Sequence, residues 1–280
     1  MESKTKINFH MHSTASDGAL SPSEVIDVMN QASYSLIALT DHDTVSGIKE
    51  ARESCKKHGI DFISGVEITT FIPEELGILD DSYKIHLLGL GIQEEAIENF
   101  LNRTVKLKNE YHMDIMRSYG LSPDEIAANC KIDNRVSCAE YLVHKKIKDT
   151  IDDALLLFRM SKYAPDIKES IFSIKKAGGI AIWAHPFILP RNGAPNITRP
   201  QFDTIYEYMK AVNIDGLEGY YLQFSNQDQK YLSNKCIKDG FFCSTGTDFH
   251  GDYSWEYDLL RKTGDQDNNL ITTLYNKIER

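Results

Sequence analysis

His10 and His12 stand one residue apart in Ile7-Asn8-Phe9-His10-Met11-His12-Ser13, at the end of an apolar stretch that reads as the first strand. Side chains alternate across a strand, so residues i and i+2 share a face. Two imidazoles directed at one spot are what a metal ion requires. Further nitrogen and oxygen donors recur behind later apolar stretches. Asp17 lies in the following loop, His42 within Thr40-Asp41-His42-Asp43-Thr44, Glu67 in Gly65-Val66-Glu67, and His86 in Lys84-Ile85-His86. His185 falls in Trp183-Ala184-His185-Pro186, Glu218 in Gly216-Leu217-Glu218-Gly219, and Asp248 and His250 in Thr247-Asp248-Phe249-His250-Gly251. Imidazoles and carboxylates without thiolates suit Mn²⁺, Fe²⁺ or Zn²⁺, Mn²⁺ foremost, rather than Ca²⁺ or a structural zinc knot. So many donors exceed the coordination of one ion, so two or three divalent ions sharing bridging ligands are expected. Glu67 is the natural bridge, because a carboxylate has two oxygens.

The elements that must position these donors alternate between short apolar strands and helices. Strands are expected at Lys6–His10, Ser35–Thr40, Asp61–Ile68, Lys84–Leu90, Ile180–Ala184, Gly216–Tyr220 and Phe242–Thr245. Ser21-Pro22-Ser23-Glu24 is a capping box with proline at the first helical position, and the helix it opens carries Val25, Met29 and Ala32 on one side. Pro165 opens another helix, with Ile167, Ile171 and Ile174 at helical spacing and Gly178-Gly179 as its stop. Ser225 caps a third, which ends at Gly240. Alternation of this kind implies parallel pairing and right-handed crossovers. The fold class is therefore α/β, a closed barrel of seven β/α units, with an open doubly wound sheet as the weaker alternative.

Residues 93–164 break the rhythm: they are helical throughout, with a second capping signature at Ser122-Pro123-Asp124-Glu125. They read as a helical insertion subdomain between the fourth and fifth strands, leaving 1–92 and 165–280 as the barrel. In barrels, function collects at the C-terminal ends of the strands. Six of the nine histidines fall at such ends, all on one rim. The other three, His58, His112 and His144, lie in helices or at their ends and read as solvated or locally bonded, with contact of His112 or His144 to substrate as the lesser alternative.

The chain of 280 residues is 41% hydrophobic and 26% charged, an ordinary soluble composition with no apolar run long enough to span a bilayer and no signal peptide at its start. A cytoplasmic location is the expectation. Five cysteines without a Cys-x-x-Cys read as reduced thiols. With 31 basic against 41 acidic residues, a formal charge of −10 disfavours binding of long duplexes. Bound cations could still dominate the field inside a pocket and admit a small anionic substrate.

The series His-x-His, Asp17-Gly18, Thr-Asp-His-Asp-Thr, Gly-x-Glu, Ala-His-Pro and Thr-Asp-Phe-His-Gly resembles the PHP (polymerase and histidinol phosphatase) superfamily, in order through both halves of the chain. Within it the chain looks most like the stand-alone branch with a helical insertion, which includes nucleotide phosphatases and 5′-to-3′ exonucleases of short oligonucleotides. The resemblance implies a distorted (β/α)7 barrel holding three metals. Carried over by residue, His10, His12, Glu67 and Asp248 hold one, Glu67, His86 and His185 the second, and Asp17, His42 and His250 the third. That branch usually carries Arg-Pro-His in the insertion, where Arg and His approach the substrate phosphate. Here the stretch reads Asn134-Arg135-Val136-Ser137, so the arginine is kept and a serine replaces the histidine. Arg103, Lys106 and Lys108 stand where relatives carry arginine pairs, and the lysines read as a solvated helix face.

A metal-dependent phosphoesterase is the leading reading. Clustered divalent ions offset phosphoryl charge and generate hydroxide near neutral pH, and no Cys or Ser nucleophile motif appears. Its expected substrate is a small phosphate monoester: a nucleotide, a nucleoside 3′,5′-bisphosphate or a short oligonucleotide end. Candidate catalytic residues are Glu67, Asp248, His250 and Arg135, and candidate substrate contacts are Arg135, Ser137 and Arg103. The alternatives are a histidinol-phosphate-type or sugar-phosphate phosphatase, a non-phosphate metal hydrolase, and a non-catalytic metal-binding module.

Overall fold

Seven strands hydrogen-bond in the order in which they occur in the chain. The computed structural model describes residues 6–73, 76–77, 84–159, 162–188, 197–261 and 268–278. The first part comprises β1 (Lys6–Asn8), α1 (Pro22–Gln31), β2 (Tyr34–Leu39), α2 (Ile48–His58), β3 (Asp61–Phe71) and β4 (Lys84–Leu90). Then come α3 (Glu94–Ser118), α4 (Pro123–Asn129), α5 (Arg135–His144), α6 (Ile151–Leu155) and α7 (Ile167–Lys176). The last part is β5 (Ile180–Trp183), α8 (Arg199–Ala211), β6 (Gly216–Tyr221), α9 (Asn226–Asp239), β7 (Phe242–Gly246), α10 (Ser254–Leu260) and α11 (Asn268–Ile278).

The sheet closes on itself. Phe9 N–H donates to the Thr245 carbonyl at 2.9 Å, and beyond it His12 N–H donates to Phe249 at 2.8 Å and Asp248 N–H to His10 at 3.0 Å. Helix ends follow the capping chemistry of the sequence. Ser21 and Glu24 form the reciprocal box of α1, Ser122 caps α4, and Ser225 and Gly240 bound α9. One cap differs: Asp166, not Pro165, caps α7, its carboxylate accepting from Glu169 N–H at 2.7 Å.

Two expectations need correction. β1 stops at Asn8, so His10 and His12 lie just past the strand rather than within it. The pairing is also not all parallel, because β4 is antiparallel to both β3 and β5. A parallel pair needs a crossover, usually a helix, and α-helix is absent from the described residues between β3 and β4. The chain turns back instead. β4 therefore starts at the rim and ends at the far end of the barrel, where α3 begins.

α3 carries the chain back. Its 25 residues span about 37 Å at 1.5 Å per residue. Ile97 and Leu101 near its start are buried in the main core with β3, β4, β5 and α7. Met116 near its end belongs to a separate apolar cluster with Leu121, Ile126, Cys138, Leu142 and Phe158, which is the core of residues 113–158.

Candidate metal centre and substrate cavity

Glu67 lies at the centre of the rim with no exposed surface. Its Oε2 is 3.1 Å from His10 Nε2, 3.1 Å from His12 Nε2 and 3.3 Å from His42 Nδ1. Its Oε1 is 2.8 Å from His86 Nδ1 and 3.2 Å from His185 Nε2. Asp248 Oδ1 lies 3.3 Å from His10 Nε2 and 3.0 Å from His12 Nε2. Asp17 meets His250 Nε2 at 3.4 Å, His42 Nε2 at 3.7 Å and His12 Nδ1 at 3.8 Å. All nine expected donors are thus brought into one basin.

The donors fall into three overlapping groups whose ligand atoms lie within 4.8 Å of one another. His10, His12, Glu67 and Asp248 make one. His12, Asp17, His42 and His250 make another, and His42, Glu67 and His86 the last. His185 joins His86 at the same Glu67 oxygen. Burial alone would push the Glu67 and Asp248 carboxyls up, but the surrounding imidazoles hold both well below the usual carboxylate range. Asp17 is likewise lowered against its burial, by the His250 hydrogen bond and the charges of His42 and His12. His10 Nε2, His12 Nδ1, His42 Nδ1, His86 Nε2 and Glu67 Oε2 are buried without a hydrogen-bond partner. Orphaned buried polar atoms are rare. Ionised carboxylates interleaved with unpartnered imidazole nitrogens form a donor set that fits divalent cations.

Backbone strain marks the same residues. His185, Asp248 and Asp43 have φ of 30°, 54° and 52°, a left-handed region that non-glycine residues enter rarely and chiefly where function demands it. Second-rank groups aim the donors. Glu218 Oε1 meets His10 Nδ1 at 3.0 Å, which fixes Nε2 toward the basin, while Oε2 accepts the His185 N–H at 2.7 Å. A side chain at Gly246 would collide with Glu218 Oε1, so glycine is required there. Tyr221 donates its hydroxyl to Asp248 Oδ2 at 3.1 Å. Asp41 accepts from Ser13 N–H, Ser13 Oγ and Ser16 Oγ at 2.7, 2.7 and 2.6 Å and so shapes the loop that presents Asp17. Glu256 accepts from the backbone of His250 at 2.8 Å and of Tyr253 at 2.9 Å.

A cavity of about 510 Å³ opens beside the Asp17 and His42 edge of the basin, with Asp43, Lys84, Lys108, His112 and Arg135 also in its wall. Arg135 is the first residue of α5, where the Asn134 cap accepts from Val136 and Ser137 N–H at 2.9 and 3.2 Å. Lys108 reaches Asp43 at 3.9 Å. Burial, followed by the nearby Arg135 charge, pushes the Lys84 ammonium down to about 8.

The remaining expectations divide. Arg103 turns away from the cavity, pairs with Glu169 of α7 and lies against Phe100. Ser137 is outside the cavity wall, its hydroxyl accepting from Lys131 N–H at 3.0 Å. Lys106 pairs with Glu110 on the solvated face, as expected, but Lys108 does not belong to that face. His58 pairs with Asp27 at 2.7 Å and His144 is exposed, whereas His112 is locally bonded, to the Ile132 carbonyl, and buried in the cavity wall. Sequence reasoning counts Glu218 among the strand-end donors, in a Gly-x-Glu that repeats Gly65-Val66-Glu67, but does not reveal that it orients His10 and His185. Lys108 and His112 could have been paired by their i, i+4 spacing.

The model of the PHP domain matches residues 8–170, a span that holds His10, His12, Asp17, His42, Glu67 and His86. The chain belongs to the PHP domain family. Among PHP-related proteins it is 27% identical to a 3′,5′-nucleoside bisphosphate phosphatase of Chromobacterium violaceum, over 87% of each chain. It is 29% identical to a 5′-3′ exoribonuclease of Haemophilus influenzae, over 89% of this chain and 92% of that one. The fold is shared with a sulfate-bound structure described as an amidohydrolase from C. violaceum, at a TM-score of 0.71 and 24% identity, covering 98% of this chain and 96% of that one. A putative metal-dependent phosphoesterase from Bifidobacterium adolescentis superposes with a TM-score of 0.65 at 22% identity, over 98% and 97% of the chains.

Proposed function

We propose that this metal-dependent phosphoesterase of the PHP family hydrolyses a small nucleotide-type phosphate monoester: a nucleoside 3′,5′-bisphosphate or the end of a short oligonucleotide. We assign His10, His12, Asp17, His42, Glu67, His86, His185, Asp248 and His250 as ligands to two or three divalent ions, Mn²⁺ foremost. The observation that carries the reading is the juxtaposition of this basin with Lys84, Lys108 and Arg135 across one cavity. Related proteins that act on nucleoside bisphosphates and on RNA ends support it.

When bound, divalent ions would neutralise phosphoryl charge and activate water near neutral pH. The chain's own residues do the rest. Arg135 grips phosphate oxygens through its planar fork, while Lys84 and Lys108 act as point charges. Asp43 holds Lys108 in place. Glu218 and Tyr221 keep His10, His185 and Asp248 aimed, so that geometry is set before substrate arrives. A cytoplasmic location suits cysteines that form no disulfide with one another.

The test is a phosphate-release screen of chelator-stripped protein with Mn²⁺ restored. It would cover nucleoside 3′,5′-bisphosphates, 5′-phosphorylated oligonucleotides, mononucleotides and sugar phosphates, with an amide and a lactone as controls. Turnover of the first two classes is expected to lead. Turnover confined to sugar phosphates, or to the amide or lactone, would replace the proposal.

A further inference from the structure

His112 occupies an unusual position in the cavity wall. It has no exposed surface, yet it belongs to the lining together with Lys108, one helical turn earlier on α3, and Arg135. Its Nδ1 lies 2.7 Å from the Ile132 carbonyl, an acceptor, so Nδ1 must carry the ring proton. Nε2 therefore bears the lone pair, and it has no hydrogen-bond partner. The ring cannot turn to find one, because Phe158 and Tyr163 pack edge-on against it at centroid distances of 5.0 Å each. Burial, with Lys108 and Arg135 adding to it, lowers the imidazole to about 4, so the group is neutral near pH 7. A neutral ring in this tautomer can accept a hydrogen bond through Nε2 but has no second proton to donate.

In the same wall Lys84, Lys108 and Arg135 are cationic and speak to phosphate, while Asp17 and His42 belong to the donor basin. His112 speaks to neither. We propose that His112 is a specificity residue whose Nε2 accepts a hydrogen bond from a neutral donor on the substrate, a sugar hydroxyl or an exocyclic base amine, next to the phosphate that Arg135 grips. This rests on the nucleotide reading above and deepens it: the occupant must present a donor as well as a phosphate. A donor that reaches this unpaired acceptor gains a buried hydrogen bond, which an analogue lacking the donor forgoes.

The experiment compares kcat/KM for matched pairs: a ribonucleotide substrate against its 2′-deoxy counterpart, and an adenine substrate against its N6-dimethyl counterpart. Wild type should favour the intact member of one pair by roughly 10- to 100-fold, the scale of a lost buried hydrogen bond. The pair that discriminates tells hydroxyl from amine. His112→Phe, which keeps a flat ring without an acceptor, should bring that ratio to near one with metal content unchanged. His112→Leu serves the same purpose if the phenyl ring is not accommodated. Equal rates within both pairs for wild type, or a preference that persists in the variants, would overturn the assignment, as it would if only water satisfied Nε2. Absence of turnover on every nucleotide would instead sink the nucleotide reading on which it stands.

Discussion

The rim of the barrel and the helices α3 and α5 beside its cavity build their chemistry by opposite means. At the rim, the donors come from the strands and the loops that follow them, and each is held by another donor: Glu67 alone contacts five imidazoles. Over the cavity, Lys108 and His112 project from one long helix and Arg135 from the first turn of another, with few partners among themselves. The rim is over-determined, so a single loss disturbs a network. The cavity side is a set of separate contacts, so single losses should subtract. On the proposed function, the rim would supply reactivity and the residues over the cavity would supply choice.

The sharpest test of that contrast is at its centre. Glu67→Gln should lower kcat/KM by roughly 10³-fold or more, since each tenfold costs about 1.4 kcal/mol and the lost charge belongs to two of the three donor groups. Elemental analysis of the same variant should show metal lost as well. Retention of full metal content and activity would end the trinuclear reading.

Arg135→Ala should act on substrate alone. A drop of roughly 10²-fold in kcat/KM is expected, the scale of a charge-assisted contact, with metal content untouched. Arg135→Lys should recover only part, because an ammonium cannot reproduce the fork. Loss of metal in Arg135→Ala would erase the distinction between the two regions.

Glu218→Gln should weaken metal affinity by about 10- to 100-fold, as second-rank partners of ligating imidazoles do, with little change in the melting temperature of the metal-free protein. Competition with a chelator measures the first and thermal unfolding the second.

His112 gives a pH signature of its own. It is held neutral in the folded chain with its pKa lowered to about 4, whereas the unfolded chain takes up a proton near 6.5. At this group the unfolded state thus binds more protons between those values, and the His112 contribution to stability falls as pH drops through that window. Between pH 7.5 and 5 the cost is about 2 kcal/mol, which His112→Phe should abolish when unfolding midpoints are compared at the two pH values. The smallest effect belongs to Arg103→Ala: removal of its exposed pair with Glu169 should leave kcat/KM unchanged and stability within about 1 kcal/mol.

The rim was legible in the sequence because strand periodicity is short and donors at strand ends recur every few dozen residues. The spacing of His10 and His12 predicted their convergence even though β1 ends before them. His86 was read as strand-ending in a parallel strand, whereas it sits near the start of a reversed one, and reversal brings that start to the same rim. The direction of β4 was hidden because pairing is a long-range property that an apolar run of seven residues does not encode. The cavity side was legible only in part. Lys108, His112 and Arg135 converge through the length of α3 and the Asn134 cap, and Arg103 differs from Lys108 only by its angle around one helix axis. Glu218 was visible as a residue but not as a role, since orienting a neighbour leaves no spacing signature.

α3 is also a lever. Its root, at Ile97 and Leu101, is wedged in the barrel core, and His112 lies about 27 Å along the axis from Glu94. A tilt of one degree at the root swings the tip by about 0.5 Å over that arm. Displacements near 1 Å can cost about 10²-fold in rate where positioning matters. Conservative trims such as Leu101→Val, far from any phosphate, would then retune which substrates are accepted while the rim keeps its chemistry.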